Sequence, residues 1–217
     1  MMYAQIRAVF FSQIGKKWNN YNHTDNNMSI PMKGSVTMPL PQERTYTIDD
    51  IYALPDGERA ELIDGQIYYM APPSRNHQKI VGKLFTTIAN YIESNNGSCE
   101  PYMAPFAVFL NRDDKNYVEP DISVICDPNK LNDKGCAGAP DWIIEVVSPG
   151  SRSMDYGAKL FKYRSAGVRE YWIIEHEKKR VTVYNFSSDD TAEYSFTDDI
   201  PVGIYTGFSI NLSTFNI

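Results

Sequence analysis

Apolar and polar positions fall into recognisable periods from Tyr46 onward. The clearest is helical. Ile80, Val81, Leu84, Phe85, Ile88, Tyr91 and Ile92 recur three and four residues apart, which gathers them on one face and predicts a long helix over 76–95, capped by Gly97. Ahead of it, residues 47–54 read as a short helix capped by Thr47, with Asp50 three positions on as an imperfect capping box. Runs at 59–63 and 66–71 flank Asp64-Gly65, the strongest short hairpin signal, and Pro72-Pro73 ends the pair. Strands are predicted at 104–110, 122–126 and 142–147; the last is almost wholly apolar, as expected of a central strand covered on both faces. A second helix over 155–166 stops at Gly167. Residues 171–174 and 181–184 form another hairpin around Glu177-Lys178-Lys179, and 201–217 hold one or two further short strands. The order predicts an α/β domain over 45–217.

Residues 1–44 differ. The run from Trp18 to Asn27 has no period, and Pro31, Gly34, Pro39 and Pro41 follow it, so the segment reads as a flexible N-terminal extension. Composition sets the class: 42% hydrophobic residues with 15 Tyr and 10 Phe describe a globular protein. No run approaches the roughly 20 apolar residues of a membrane span. The patch Ala8-Val9-Phe10-Phe11 lacks a cleavage site, which argues against a signal peptide. Cys99, Cys126 and Cys136 make no CxxC pair. They read as three free thiols of a cytoplasmic protein, and with three scattered His they give no structural zinc site. A net charge of −6 argues against a broad basic surface that coats nucleic acid. A metal-dependent nuclease remains open, because its site is itself a cluster of carboxylates whose local sign the bound cation reverses.

Glu145 stands out. It sits inside an apolar strand, where a carboxylate is costly unless paired or bound to an ion. Asp121, after Pro120 at the start of the preceding strand, is its natural companion. Two neighbouring strands can present both carboxylates at one end of a sheet, as Mg²⁺ (or Mn²⁺) requires. Such an ion polarises a phosphoryl oxygen and activates water, the two tasks of phosphodiester hydrolysis.

At these residues the chain resembles a known family. Val118-Glu119-Pro120-Asp121, followed by Ile144-Glu145-Val146-Val147-Ser148-Pro149, is similar to the Uma family of restriction-endonuclease-type proteins in the PD-(D/E)XK superfamily. Glu61-Leu62-Ile63-Asp64-Gly65, Pro73-Ser74-Arg75-Asn76-His77, Asp155-Tyr156-Gly157-Ala158-Lys159-Leu160 and Gly167-Val168-Arg169-Glu170-Tyr171-Trp172 extend the resemblance over about 44–215. It implies a restriction-endonuclease-like mixed sheet flanked by helices. It implies Asp121, Glu145 and the backbone carbonyl of Val146 as metal ligands, and Glu61 as an acidic residue that completes the shell or holds a second ion. The superfamily's lysine is displaced: Val147 stands two positions after Glu145, and Lys159 on the next helix matches the place from which this family supplies it.

The residues leave alternatives beside the resemblance. Lys159 and Tyr163, four apart, share a helical face, and Lys162 competes for the same role. Val147 is expected as a core residue pointing away from the ion or its water. His77 reads as a helix-start residue hydrogen-bonded to the hairpin, with a phosphate or ion contact as the alternative. The function expected is a metal-dependent endonuclease acting on DNA, as a homodimer. The rival is a nuclease fold that no longer cuts and serves in binding or assembly.

Overall fold

The computed structural model describes residues 44–217. The expected extension over 1–44 lies, apart from Arg44, outside the described residues. In chain order the elements are α1 (Ile48–Tyr52), β1 (Ala60–Ile63), β2 (Gln66–Tyr69), α2 (Arg75–Ser94), β3 (Glu100–Met103), β4 (Val108–Phe109), β5 (Ile122–Ile125), β6 (Leu131–Asn132), β7 (Gly135–Ala137) and β8 (Trp142–Val146). Then come α3 (Arg152–Met154), a π-helical segment (Asp155–Lys159), α4 (Leu160–Ala166), β9 (Glu170–Glu175), β10 (Arg180–Asn185), β11 (Asp190–Ser195), β12 (Ile200–Pro201) and β13 (Ser209–Ile210).

A six-stranded sheet in the order β11-β10-β9-β8-β5-β3 carries the fold. Only β8 and β9 run parallel, joined through the α3–α4 crossover; every other neighbouring pair is antiparallel. This is a mixed α/β sheet with helices on both faces. Side chains alternate across it. Trp142, Ile144 and Val146 of β8 and Trp172 and Ile174 of β9 face the buried stripe Ile80, Val81, Leu84, Ile88 and Ile92 of α2, sealed by Phe208, Ile210, Leu212 and Phe215 from the chain's last segment. The two tryptophans meet edge to face with ring centroids 5.0 Å apart. Ile143 and Val147 of the same strand region, with Tyr171 and Ile173, face Tyr163 of α4 and Ile63 of β1 on the opposite side.

Local chemistry agrees with the elements. Asp64 and Gly65 both take positive φ, 51° and 75°, the paired left-handed geometry of a two-residue hairpin turn. Ser74 caps α2 by accepting the His77 N–H at 3.2 Å. Gly167 closes α4 at φ 96°, where a side chain would be strained.

Several expectations are corrected. The strand expected at 104–110 is two strands, β3 before it and the short β4 inside it. Residue 104 instead donates its N–H to the Asp121 carbonyl and the chain turns at Pro105. The helix expected over 155–166 starts earlier, at Arg152, and its 155–159 portion is π-helical. Strand β11 and the small β4-β7-β6 sheet were not anticipated; their polar, short sequences carry little period. Cysteine usage is corrected as well. Antiparallel pairing of β3 with β5 sets Glu100 opposite Ile125, so Cys99 falls opposite Cys126 and the two form a disulfide. Only Cys136 is a free thiol, and it is buried. The free thiols that supported a cytoplasmic location are thereby reduced to one. Among the described residues no helix is long and apolar enough to cross a membrane.

Glu175, at the end of β9, ties the crossover to the sheet. Its buried carboxylate accepts from Arg152 Nε at 2.7 Å, Lys178 Nζ at 2.8 Å, Arg180 Nε at 3.0 Å and the Tyr156 hydroxyl at 3.2 Å. Burial would raise its pKa, but these donors outweigh it and hold the carboxyl at about 2. A depressed carboxyl stabilises the fold above its unfolded pKa, and that contribution is lost as pH falls through about 2. Glu175→Gln should therefore lower the melting temperature at pH 7, with the gap to the parent protein closing between pH 5 and pH 2. A gap independent of pH would show that packing, not charge, sets the loss. Thiol titration of protein denatured without reductant should find one reactive thiol per chain, where three would exclude the Cys99–Cys126 bond.

Candidate active site

Four elements meet at one end of the central sheet. The β5–β8 register pairs Ile122 with Ile144, so one step further Asp121 stands opposite Glu145. The Asp121 N–H points at Glu145 Oε2 at 3.4 Å, and the Val146 N–H donates to Asp121 Oδ2 at 2.8 Å. Glu61 arrives from β1, with Oε1 accepting the Glu119 N–H at 3.0 Å. The crossover helix supplies the cation: Lys159 Nζ lies 2.7 Å from Glu61 Oε2 and 2.9 Å from Glu145 Oε1. One turn on, the Tyr163 hydroxyl donates to Glu145 Oε1 at 2.8 Å. Glu61, Glu145 and Lys159 are all buried, which explains why each is paired.

The expected residues Glu61, Asp121, Glu145 and Lys159 are thus brought together. Lys162 is not among them; its ammonium pairs with Asp64 at the hairpin turn. Val147 is a core residue, but strand alternation sets it on the same face as Ile143 and Glu145, so the expectation that it points away is corrected. His77 is corrected too. Its ring does not bond the hairpin: Nε2 lies 3.0 Å from Asp121 Oδ2. The sequence signal was present, since His77 continues the stripe of Ile80, Val81 and Leu84 and is a polar residue on a buried helical face.

Asp155 went unrecognised in the sequence. It is buried, with Oδ1 3.8 Å from Lys159 Nζ. Its spacing of four from Lys159 was the available signal. Both belong to the π-helical segment, a distortion that recurs at functional sites.

Three carboxylates therefore surround one ammonium, and Asp121 adjoins the group through Glu145. Burial raises the pKa of Glu145, and Asp121, Asp155 and Glu61 add to the effect while Lys159 opposes it. Burial raises Asp155 in the same sense. Burial alone would lower Lys159, but Glu145, Glu61 and Asp155 outweigh it and fix the proton on the amine. For His77 burial again lowers the pKa, and the hydrogen bond and charge of Asp121, the Val146 carbonyl and Asp155 reverse the direction.

The donor set fits a hard divalent cation. Both Glu61 oxygens are engaged by protein donors, which makes Glu61 the counter-ion of Lys159. Asp121 Oδ1 accepts no hydrogen bond among the described residues, and Glu145 Oε2 accepts only the 3.4 Å contact. The Val146 carbonyl and Asp121 Oδ2 both face the His77 ring. Among the described residues no three His, Cys, Asp or Glu side chains form a ready-made cage. An ion that keeps several waters and takes one or two carboxylates, as Mg²⁺ does, needs none.

Comparison with known proteins identifies the family and the fold. Residues 48–213 match the profile of the Uma2 family, described as "Putative restriction endonuclease". Two uncharacterized proteins of Synechocystis are similar. One, slr1290, is 29% identical over 133 residues, covering 61% of this chain and 68% of that protein. The other, sll1609, is 26% identical over 135 residues, covering 61% and 75%. A solved structure from Anabaena variabilis, titled as a "putative nuclease belonging to DUF820", superposes with a TM-score of 0.64 at 20% identity over 78% of this chain and 96% of that one, and so shares the fold. With the profile running from α1 to the last turn of the chain, this protein belongs to the Uma2 family.

Proposed function

We propose that this chain is a metal-dependent endonuclease that hydrolyses DNA phosphodiester bonds, with Mg²⁺ or Mn²⁺ held by Asp121, Glu145 and the Val146 carbonyl. One observation carries the reading: Lys159 is locked between Glu61 and Glu145, while among the described residues Asp121 Oδ1 accepts no hydrogen bond and Glu145 Oε2 accepts only one long contact. When bound, the ion supplies Lewis-acid polarisation of a phosphoryl oxygen and a stronger water nucleophile. The chain's own groups do the rest. Lys159 presents a fixed positive charge next to the ion site, where negative charge grows in the transition state, with no reorganisation needed at that moment. Glu61 and Tyr163 hold that geometry, the first by pairing Lys159 and the second by fixing Glu145. His77 donates to Asp121 and orients it. A homodimer would let two such sites address the two strands of a duplex.

The test incubates full-length protein with supercoiled plasmid, linear duplex, single-stranded DNA and RNA, each with Mg²⁺, Mn²⁺ or EDTA. Plasmid should be nicked or linearised with either ion and untouched in EDTA. Asp121→Asn and Lys159→Gln should each lower the rate roughly 10²-fold or more, the loss typical of removing one electrostatic contact to a transition state. Lys162→Gln should retain the parent rate. Because breaking a buried ion pair costs about 3–5 kcal/mol, circular dichroism should accompany Lys159→Gln. Cleavage in EDTA, or an unchanged rate in Asp121→Asn, would contradict the mechanism. No cleavage of any substrate would favour a binding or assembly module.

A further inference from the structure

An open hollow of about 530 Å³ lies between the end of α1, the loop after Pro105 and the β6–β7 turn, and Glu119, two residues before Asp121, lines it. Its volume falls in the range of small-molecule sites. Tyr52, Phe106 and Tyr117 provide aromatic walls, Glu119 a carboxylate, and Asp133 and Lys134 an acidic and a basic rim residue. Tyr52 is 57% exposed, and its ring meets Tyr117 edge to face at 6.4 Å. A large aromatic this exposed stabilises the core little; in a concave site it offers a stacking surface.

Glu119 gives the hollow its chemistry. It is buried, and its two oxygens have about four acceptor positions. Arg59 Nε and Nη2 occupy two on Oε2, and the Tyr117 hydroxyl occupies one on Oε1 at 2.6 Å. One acceptor position remains on Oε1. Arg59 and Tyr117 also hold the carboxylate aligned, so the position is preformed.

The hollow is coupled to the site by the chain itself. The Glu119 backbone N–H donates to Glu61 Oε1, and Asp121 follows two residues later, within about 7 Å of extended backbone. A phosphodiester at Asp121 and Glu145 would therefore have a neighbouring nucleotide close to Glu119, at the edge of the hollow.

We propose that this hollow is a nucleobase pocket. It takes an unpaired base of the nucleic acid engaged at the carboxylate cluster, stacked on Tyr52, with a ring or exocyclic N–H donated to Glu119. The assignment rests on the nuclease reading and adds what that reading lacks, a contact to the base in a protein whose overall charge is −6. Cytosine suits it through its exocyclic amine, which pairs with a carboxylate.

The experiment measures fluorescence anisotropy of labelled single-stranded 12-mers binding to full-length protein in EDTA, where nothing is cleaved. One probe is oligo-deoxycytidine; the other is an abasic chain with the same phosphates. The cytidine probe should bind at least tenfold more tightly. Tyr52→Ala should abolish that difference, Tyr52→Phe should preserve it, and Glu119→Gln should reduce it. Equal affinity for the two probes, or a Tyr52→Ala protein that still discriminates, would overturn the proposal. Cleavage failure and pocket failure are separable. A protein that cuts plasmid with Mn²⁺ but ignores bases has the nuclease site without the pocket. One that discriminates bases yet never cuts has the pocket without the reaction.

Discussion

The structure depends on one buried ammonium. Lys159 is buried, and Glu61 and Glu145 approach it from two different strands. Removing it would leave both carboxylates uncompensated in a dry interior, a cost on the order of 3–5 kcal/mol. The same ammonium does not neutralise the cluster, because Asp155 also faces it at 3.8 Å and Asp121 adjoins Glu145. Glu145 carries the imbalance as a raised pKa, due first to burial. A carboxyl raised in the folded state binds more protons than it does unfolded, so stability falls as pH climbs from the ordinary carboxylate range toward the raised value. A divalent cation among these oxygens would relieve that cost, which gives the fold itself a use for the ion.

Everything around the cluster serves to bring distant chain segments to that point. The sheet holds Asp121 and Glu145 opposite one another by register, a constraint that cannot slip without turning every core residue of β5 and β8 to the wrong face. The β1–β2 hairpin reaches it through the reciprocal Leu62–Tyr117 bridge, which delivers Glu61. Helix α2 approaches from the other layer and places His77 on Asp121. The crossover between the parallel strands β8 and β9 must pass over the site, and its π-helical segment turns Asp155 and Lys159 inward together.

Much of this was legible in the chain. The long helix, the Asp-Gly hairpin and the central apolar strand announced themselves by period and turn chemistry, and Glu145 by being a charge in an apolar strand. The resemblance pointed to Lys159, and helical spacing set Tyr163 on the same face while leaving Lys162 as a competitor. What escaped did so for physical reasons. The Cys99–Cys126 bond depends on the register of β3 against β5, which no spacing between the cysteines reveals. Asp155 looked like a helix-start acid because its burial comes from tertiary packing. Glu119 and its hollow depend on three segments, around Tyr52, Phe106 and Lys134, whose nearness is invisible along the sequence.

The central claim is that the oxygens left free by Lys159 form a cation site. Isothermal calorimetry of Mn²⁺ into the full-length protein at neutral pH tests it without requiring a substrate. The account predicts saturable binding at Asp121 and Glu145, lost in Asp121→Asn and retained in Lys159→Gln as long as that variant stays folded. No saturable binding, or binding that Asp121→Asn leaves unchanged, would contradict it.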